Sequence, residues 1–329
     1  MEITDEAVLA PFGEETVILE FLANPTGPQA AALAAHELPV VYSNLAEACV
    51  HRVAALEVEA STWLEAESCA SRVVDVAVAA QLDGNLDADA PSDTLALTHL
   101  VIALAAAERA DRRPTLADRR YDLLVRLADA LAERAADAPD GMLAAYGRGQ
   151  SPWPPDATSL IYALWLADQV APSEVLDGRH EAPMRAYLGW ARGRGRSLDW
   201  DLPVSEAGDA FGTTKLPRGT ALAWTARYQA AWDRPGAAQL WGRFKATFWL
   251  EGGLGEWPPG VERKGDELSG PLVDGVALRA TALALGAAHL LGDTASFDKL
   301  AALSLPSDLL TRAQRVNAVG IVPWFSGRR

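Results

Sequence analysis

The sequence predicts an all-α fold, an α/α toroid of five to six helical hairpins, on three observations. First, one phrase recurs along the chain: a turn, a leucine, a loop, then a helix start opened by or near a proline. It falls around Leu86, Leu143, Leu198 and Leu254, at intervals of 57, 55 and 56 residues. Self-similarity at a fixed period of this order marks a repeat architecture. Second, alanine, leucine, arginine and glutamate dominate, all strong helix formers, while the β-branched residues form no alternating runs that would support strands. Third, the predicted helices alternate between two kinds, one apolar nearly all round and one amphipathic. A helix with no polar face is buried on every side. Pairs of buried and half-exposed helices about 55 residues long therefore describe inner and outer rings around a central funnel.

The elements follow in order. Residues 1–38, broken by Pro11, Gly13, Pro25 and Pro28, read as an N-terminal arm, and residues 39–329 as the toroid domain. The first hairpin pairs 42–58 with 62–81. The second pairs 92–109 with 115–136, separated by Arg113-Pro114. The third pairs 156–171 with 181–194, and the fourth 218–232 with 235–250. In the fifth, a helix over 272–291 begins after Pro271 and pairs with 295–303. A last helix spans about 307–318. The second and third inner helices contain LALTHLVIALAAA and TSLIYALWLADQV, whereas the outer segment ADRRYDLLVRLADALAERAADA carries the charge.

The long connections run from an outer helix to the next inner one, so they share one rim. They also collect the unusual residues. Trp153, Trp200, Trp257 and Trp324 lie in corresponding loops, with Asp93, Asp156, Asp199, Asp201, Glu206, Glu256, Asp266 and Asp274 beside them or at the next helix start. An Asp near a helix start is ordinary capping chemistry, and Asp93 reads as a cap. Asp156 follows Trp153-Pro154-Pro155, a stiff approach that aims its carboxylate. Glu256 lies in GGLGEWPPG (252–260), where rigid backbone and an aromatic wall suit a general acid of raised pKa. Asp274, read as lying inside an apolar helix, is costly there unless paired or functional. The candidate catalytic groups are thus Glu256 as acid, with Asp156 or Asp274 as base. Arg218 opens an inner helix, where a cation opposes the helix dipole; it either binds an anionic ligand or pairs with Glu256 or Asp266 to hold the loops. Trp153, Trp200, Trp257, Arg218, Asp266, Tyr146 and His99 are the candidate substrate-binding residues. A core role is the plainer reading of His99, and Trp165, Trp224 and Trp232 read as core or cavity lining.

Composition narrows the partners. A net charge of −15 argues against nucleic acid held through phosphates and against an anionic membrane surface. No apolar run is long enough to span a bilayer, and the acidic start MEITDEAVLAPFGEE lacks a signal-peptide pattern; the expectation is a cytoplasmic protein acting on a small molecule. Cys49 and Cys69 are read as buried free thiols, although a pair is open to them. No Cys/His cluster has metal spacing, and no phosphate loop or nucleophile elbow appears, so neither metal nor cofactor is expected.

The stretch from Trp153 to Pro271 resembles a group of uncharacterised bacterial α/α-toroid proteins with the pattern W-P-x-D, R-G, R-E-Y-P and D-V-D-S-G-P. The matching segments are Trp153–Asp156, Arg218-Gly219, Gly255–Pro258 and Asp266–Pro271. Gly255, Trp257 and Leu268 depart from the pattern's Arg, Tyr and second Asp, and losing that Asp weakens any two-carboxylate role there. More distantly the architecture is similar to linalool dehydratase/isomerase, terpenoid cyclases and α/α-toroid glycosidases. The leading expectation is a cofactor-independent lyase, isomerase or cyclase acting on an apolar, isoprenoid-like or natural-product substrate. A glycoside hydrolase or other carbohydrate-active enzyme is the alternative. A non-catalytic binding or scaffold protein is the third reading, and it expects every rim carboxylate to be satisfied by arginine.

Overall fold

The structure is a computed structural model. It describes residues 37–54, 60–110, 119–138, 153–170, 178–193, 195–197, 199–204, 216–266, 269–303 and 309–320. The expected arm thus lies almost wholly outside the described residues, as do Tyr146, Leu198, Glu206 and Trp324.

The described chain is mostly helical. Inner helices α1 (Leu38–Ala54), α3 (Thr94–Ala110), α5 (Pro154–Val170), α7 (Gly219–Trp232), α9 (Leu278–Leu291) and α11 (Leu309–Gly320) alternate with outer helices α2 (Ala60–Leu82), α4 (Arg119–Asp137), α6 (Glu181–Arg192), α8 (Arg234–Phe248) and α10 (Thr294–Ala301). Each inner helix packs on the next, and α11 packs back on α1. The ring is therefore closed by six inner helices, five of them paired with a described outer helix. Closure distinguishes the toroid from an open solenoid, in which first and last repeats never meet.

The hydrophobic pattern explains the two layers. In α3 and α5 nearly every position is buried, including Thr98, His99, Thr158 and Ser159. In α4 burial is confined to Leu123, Leu124, Leu127, Ala128, Leu131 and Ala135, a single stripe at helical spacing. Local chemistry sets several starts and stops. Asp93 Oδ1 accepts from the amides of Leu95 (2.8 Å) and Ala96 (3.1 Å), as expected of a cap. Asp233 and Asp293 cap α8 and α10 through Gly236 N and Ser296 N. Gly292, with φ 78°, ends α9 in the left-handed conformation that glycine adopts freely.

Two expectations fail here. Residues 272–277 do not begin an inner helix. They form a hairpin, β3 (Leu272–Val273) with β4 (Val276–Ala277), and α9 starts only at Leu278. The cause is Asp274-Gly275, whose φ values of 50° and 83° suit the two-residue turn that Asp-Gly favours. A preceding hairpin, β1 (Trp249–Leu250) with β2 (Gly253–Leu254), ends α8 at Phe248 and bridges to β4 through Gly255 and Val276. The second correction concerns the cysteines. Cys49 and Cys69 are joined in a disulfide, with Cα atoms 5.8 Å apart, because α1 and α2 pack on each other and bring these positions together.

A polar network fills the ring centre. Glu47, wholly buried on α1, accepts from the Tyr162 hydroxyl of α5, Arg227 Nη2 of α7 (3.2 Å) and Asn317 Nδ2 of α11 (2.9 Å). Asn317 Nδ2 also donates to Asn44 Oδ1 at 2.9 Å. Glu47 thus ties the closing helix to three others. Asn317→Ala removes the shared donor, and urea unfolding is expected to show a loss of about 1–3 kcal/mol, the usual cost of stranding buried acceptors.

Candidate functional site

All six inner helices start at the same rim. A cavity there is lined by Glu37 and Val40 (α1 and its approach), Leu95 (α3), Trp153 (before α5), Thr220 and Trp224 (α7), Arg279 and Leu283 (α9), and Leu310 and Gln314 (α11). The lining residues on α7, α9 and α11 are spaced i, i+4, which puts both on one helix face. The cavity measures about 40 Å³, room for one water-sized guest. Arg279 Nη2 and Glu37 Oε1 form an ion pair of 2.5 Å across its wall. Trp153 and Trp224 meet edge-on, 5.9 Å between ring centroids, and Trp224 meets Tyr228 at 5.1 Å.

Asp156 stands one turn beyond Trp153, in the first turn of α5, with its amide on the Trp153 carbonyl at 2.9 Å. It is 7% exposed, and neither carboxylate oxygen has a hydrogen-bond partner among the described residues. Burial pushes the carboxyl well above the usual Asp value, and the nearby charge of Asp93 pushes it further. The result is a carboxyl that resists ionisation. Asp93 therefore has a second part beside its capping role.

His99 stands one turn below the cavity-lining Leu95 on α3. It is fully buried, and its ring meets Trp224 edge-on at 5.6 Å. Its Nδ1 lies 2.7 Å from Ser43 Oγ, while Nε2 has no partner among the described residues. Burial lowers its pKa to about 3, against a smaller upward pull from Glu47. The folded protein therefore holds a neutral imidazole. As pH falls below about 6.5 the unfolded chain takes up a proton that the folded one refuses, so stability is lost progressively from there toward pH 3. Urea titrations should show this as a slope of up to about 1.4 kcal/mol per pH unit, and His99→Gln should flatten it.

Glu256 takes a different part from the general acid expected of it. It is wholly buried, and both oxygens are occupied. Arg218 Nε donates to Oε1 at 2.7 Å, while Thr220 N (3.0 Å) and Thr220 Oγ1 (2.7 Å) donate to Oε2. Arg218 Nη2 donates to Asp266 Oδ1 at 2.7 Å. The amide of Thr220 is one of the unpaired donors of the α7 start, and Glu256 satisfies it from another loop. The oddly placed Arg218 cation is thus answered by two carboxylates. Burial opposes the charge on Arg218, but Asp266 and Glu256 outweigh it and hold the guanidinium above its ordinary pKa. Burial raises the Glu256 carboxyl against the pull of Arg218 and Thr220. The backbones are as close as the side chains: Gly219 N donates to Glu256 O at 2.8 Å, and a Cβ on Gly219 would meet Gly255 O at 1.9 Å. Gly219→Ala is expected to cost about 1–3 kcal/mol by overpacking, read as a lowered urea midpoint.

Of the expected site residues that are described, only Trp153 lines the cavity; Asp156 and His99 stand about one turn from the lining residues Trp153 and Leu95, and the others lie elsewhere. Trp257 lies between Arg218 (4.8 Å) and Arg263 (5.3 Å) and lines an open groove on the rim. Asp266 is half exposed, held by Arg218 and the amide of Ser269 (3.1 Å). Trp200 is packed against the core, and Asp201 pairs with Arg243 at 2.7 Å. Asp274 is exposed at its hairpin tip, away from any apolar helix interior, so the argument for it as a base falls. The lining residues Glu37, Thr220, Arg279 and Gln314 were not singled out for the cavity by the sequence reading. Their signal was the turn-by-turn spacing of Thr220 with Trp224 and Leu310 with Gln314.

Among the described residues no group of His, Cys, Asp or Glu is placed to hold a metal ion, and no helix is long and apolar enough to cross a membrane. No protein-family profile matches the chain, and no curated protein matches it. Among solved structures it is similar to a glycosyl hydrolase family 88 protein from Bacteroides vulgatus, at 12% identity and a TM-score of 0.43, over 93% of this chain and 99% of that one. A likeness of this degree carries no functional assignment.

Proposed function

We propose that the rim around the axial cavity is the active site of an acid–base enzyme of the lyase or isomerase class, with Asp156, one turn beyond the cavity-lining Trp153, as the proton donor. The observation that carries this reading is the Asp156 carboxyl, buried, without a partner among the described residues and in surroundings that raise its pKa well above the usual Asp value. Such a group costs stability and is retained where it serves a reaction. Burial raises that pKa most, and Asp93 adds to it: two backbone amides hold the Asp93 carboxylate in place, and its charge disfavours a second charge on Asp156. Protonating an alkene or an oxygen leaves positive charge on the substrate, and the faces of Trp153 and Trp224 stabilise such charge. The cavity lining is largely apolar, which favours a small apolar substrate of isoprenoid or natural-product type. A substrate larger than a few atoms requires the rim side chains to part.

A carbohydrate is the second reading, favoured by the polar groups of Glu37, Arg279, Thr220 and Gln314 in the same wall. The test is turnover of two substrate panels, small terpenoid alcohols and alkenes in one and uronides and simple glycosides in the other. Activity on the first, lost in Asp156→Asn and kept in Asp274→Asn, supports the leading reading. Activity on the second alone replaces the substrate class, and activity undiminished in Asp156→Asn removes the mechanism.

A further inference from the structure

A second and larger pocket is lined by outer helices α6 and α8 and by the loop 196–203, and it shares no lining residue with the axial cavity. It measures about 340 Å³, a usual size for a small-molecule site. Leu188, Leu202 and Leu240 give it an apolar wall. Three arginines, Arg192, Arg196 and Arg243, also line it, against two carboxylates, Asp201 and Asp233. Asp233 is engaged in capping α8: Oδ1 accepts from Gly236 N at 3.1 Å and Oδ2 from Gln229 Nε2 at 2.8 Å. Arg196 Nη2 and Arg243 Nη1 meet the same Asp201 carboxylate, the first on Oδ1 and the second on Oδ2 at 2.7 Å. Arg192 has no partner among the described residues. Each guanidinium carries five donors, far more than one carboxylate engages. Asp201 is itself 55% exposed and sits at φ 53°, a left-handed conformation that costs a residue with a Cβ. An exposed ion pair of this kind is worth little, so another carboxylate can replace it.

We propose that this pocket binds a small amphipathic carboxylate, whose head group takes the place of the Asp201 carboxylate on Arg196 and Arg243 and whose apolar body lies against Leu188, Leu202 and Leu240. The Asp201 side chain is the built-in occupant of the head-group position, and its contacts show that one carboxylate reaches both cations. Pro235 and Arg243, both lining residues, stand eight positions apart on α8, which gives the body a length of about 12 Å. Asp233, beside Pro235, disfavours a second anionic group at that end, so the ligand carries its charge at one end only. In a chain of net charge −15, the excess of arginines here is what selects an anion. The site stands apart from the acid chemistry assigned to Asp156.

The experiment is calorimetric titration of the full chain with octanoate, with acetate, which lacks the apolar body, and with octanol, which lacks the charge. Octanoate should bind saturably, one per chain, and the other two at least about tenfold more weakly. Asp201→Asn removes the competing carboxylate and keeps a residue type that tolerates the left-handed position. It should tighten octanoate at least about threefold, since two carboxylates no longer share the arginines. Arg196→Gln and Arg243→Gln should each weaken octanoate at least about fivefold. Should either arginine variant fail to fold, Asp201→Asn decides alone. No saturable octanoate binding, octanol or acetate binding as tightly as octanoate, or binding that Asp201→Asn leaves unchanged or weakens would overturn the site. Turnover enters none of these readings, so loss of the acid mechanism at Asp156 leaves the pocket standing, and the reverse holds equally.

Discussion

Arg218→Ala should destabilise the protein by about 3–5 kcal/mol, because it strands a buried carboxylate. Glu256 has no exposure to solvent, and its Oε1 loses its partner at 2.7 Å. Thr220 still holds Oε2 through its amide and hydroxyl, so the remaining charge stays inside and has no cation near it. The loss also takes from Asp266 its Arg218 partner, leaving the Ser269 amide, and removes the cation that Trp257 covers at 4.8 Å. For a chain of this size the midpoint of thermal unfolding should drop on the order of 10 °C. Glu256→Gln should cost clearly less, since Arg218 keeps Asp266 and the amide side chain still meets Thr220. The double variant should then be far less damaged than the two singles added, a coupling expected of groups in direct contact. Two equal, additive losses would mean that the clamp is not the unit described.

Asp156→Asn should do the opposite and stabilise the protein, by about 1–3 kcal/mol at neutral pH, while lowering turnover at least about 100-fold. The sign follows from the raised pKa. Above about pH 3.9 an unfolded chain releases the Asp156 proton, and the folded protein keeps it. Stability attributable to this group therefore falls as pH rises from there, until the folded carboxyl also ionises, and the penalty is constant beyond. Asparagine has no such penalty. The gain over the parent should thus grow with pH across that window and then level off. A residue whose removal strengthens the fold and ends the chemistry is the signature of a site held at a cost to stability. Arg218 and Asp156 lie at neighbouring inner-helix starts, and the opposite responses expected of their variants would tell the clamp from the proposed acid.

Much of the fold was legible in the sequence. The period set the hairpins, and the contrast between LALTHLVIALAAA and the charged outer helices set the layers. What misled was local turn chemistry. The apolar run SGPLVDGVALRA reads as helix by composition, yet Asp274-Gly275 takes two left-handed positions and makes a hairpin. That error placed Asp274 in an apolar interior, and the case for it as a base rested on that placement. The site was legible in part. Asp156 and Trp153 were found because two prolines stiffen the approach to a carboxylate. Glu256 stands out for a sound reason, rigid backbone around an acid, and its pairing with Arg218 is one of the two readings that a cation at a helix start offers; the structure makes that pairing and the one with Asp266 together. Contacts made across the ring, such as Glu37 with Arg279 or Asn317 with Glu47, leave no local trace.

The central claim is that Asp156 is a buried acid that keeps its proton where ordinary aspartates have lost theirs. The direct measurement is the 13C carboxyl shift of Asp156 followed through a pH titration, assigned by its absence in Asp156→Asn. The account predicts a midpoint well above the ordinary Asp range, moving down when Asp93→Asn removes the neighbouring charge. A midpoint near the ordinary value of about 3.9, unmoved by Asp93→Asn, would contradict it.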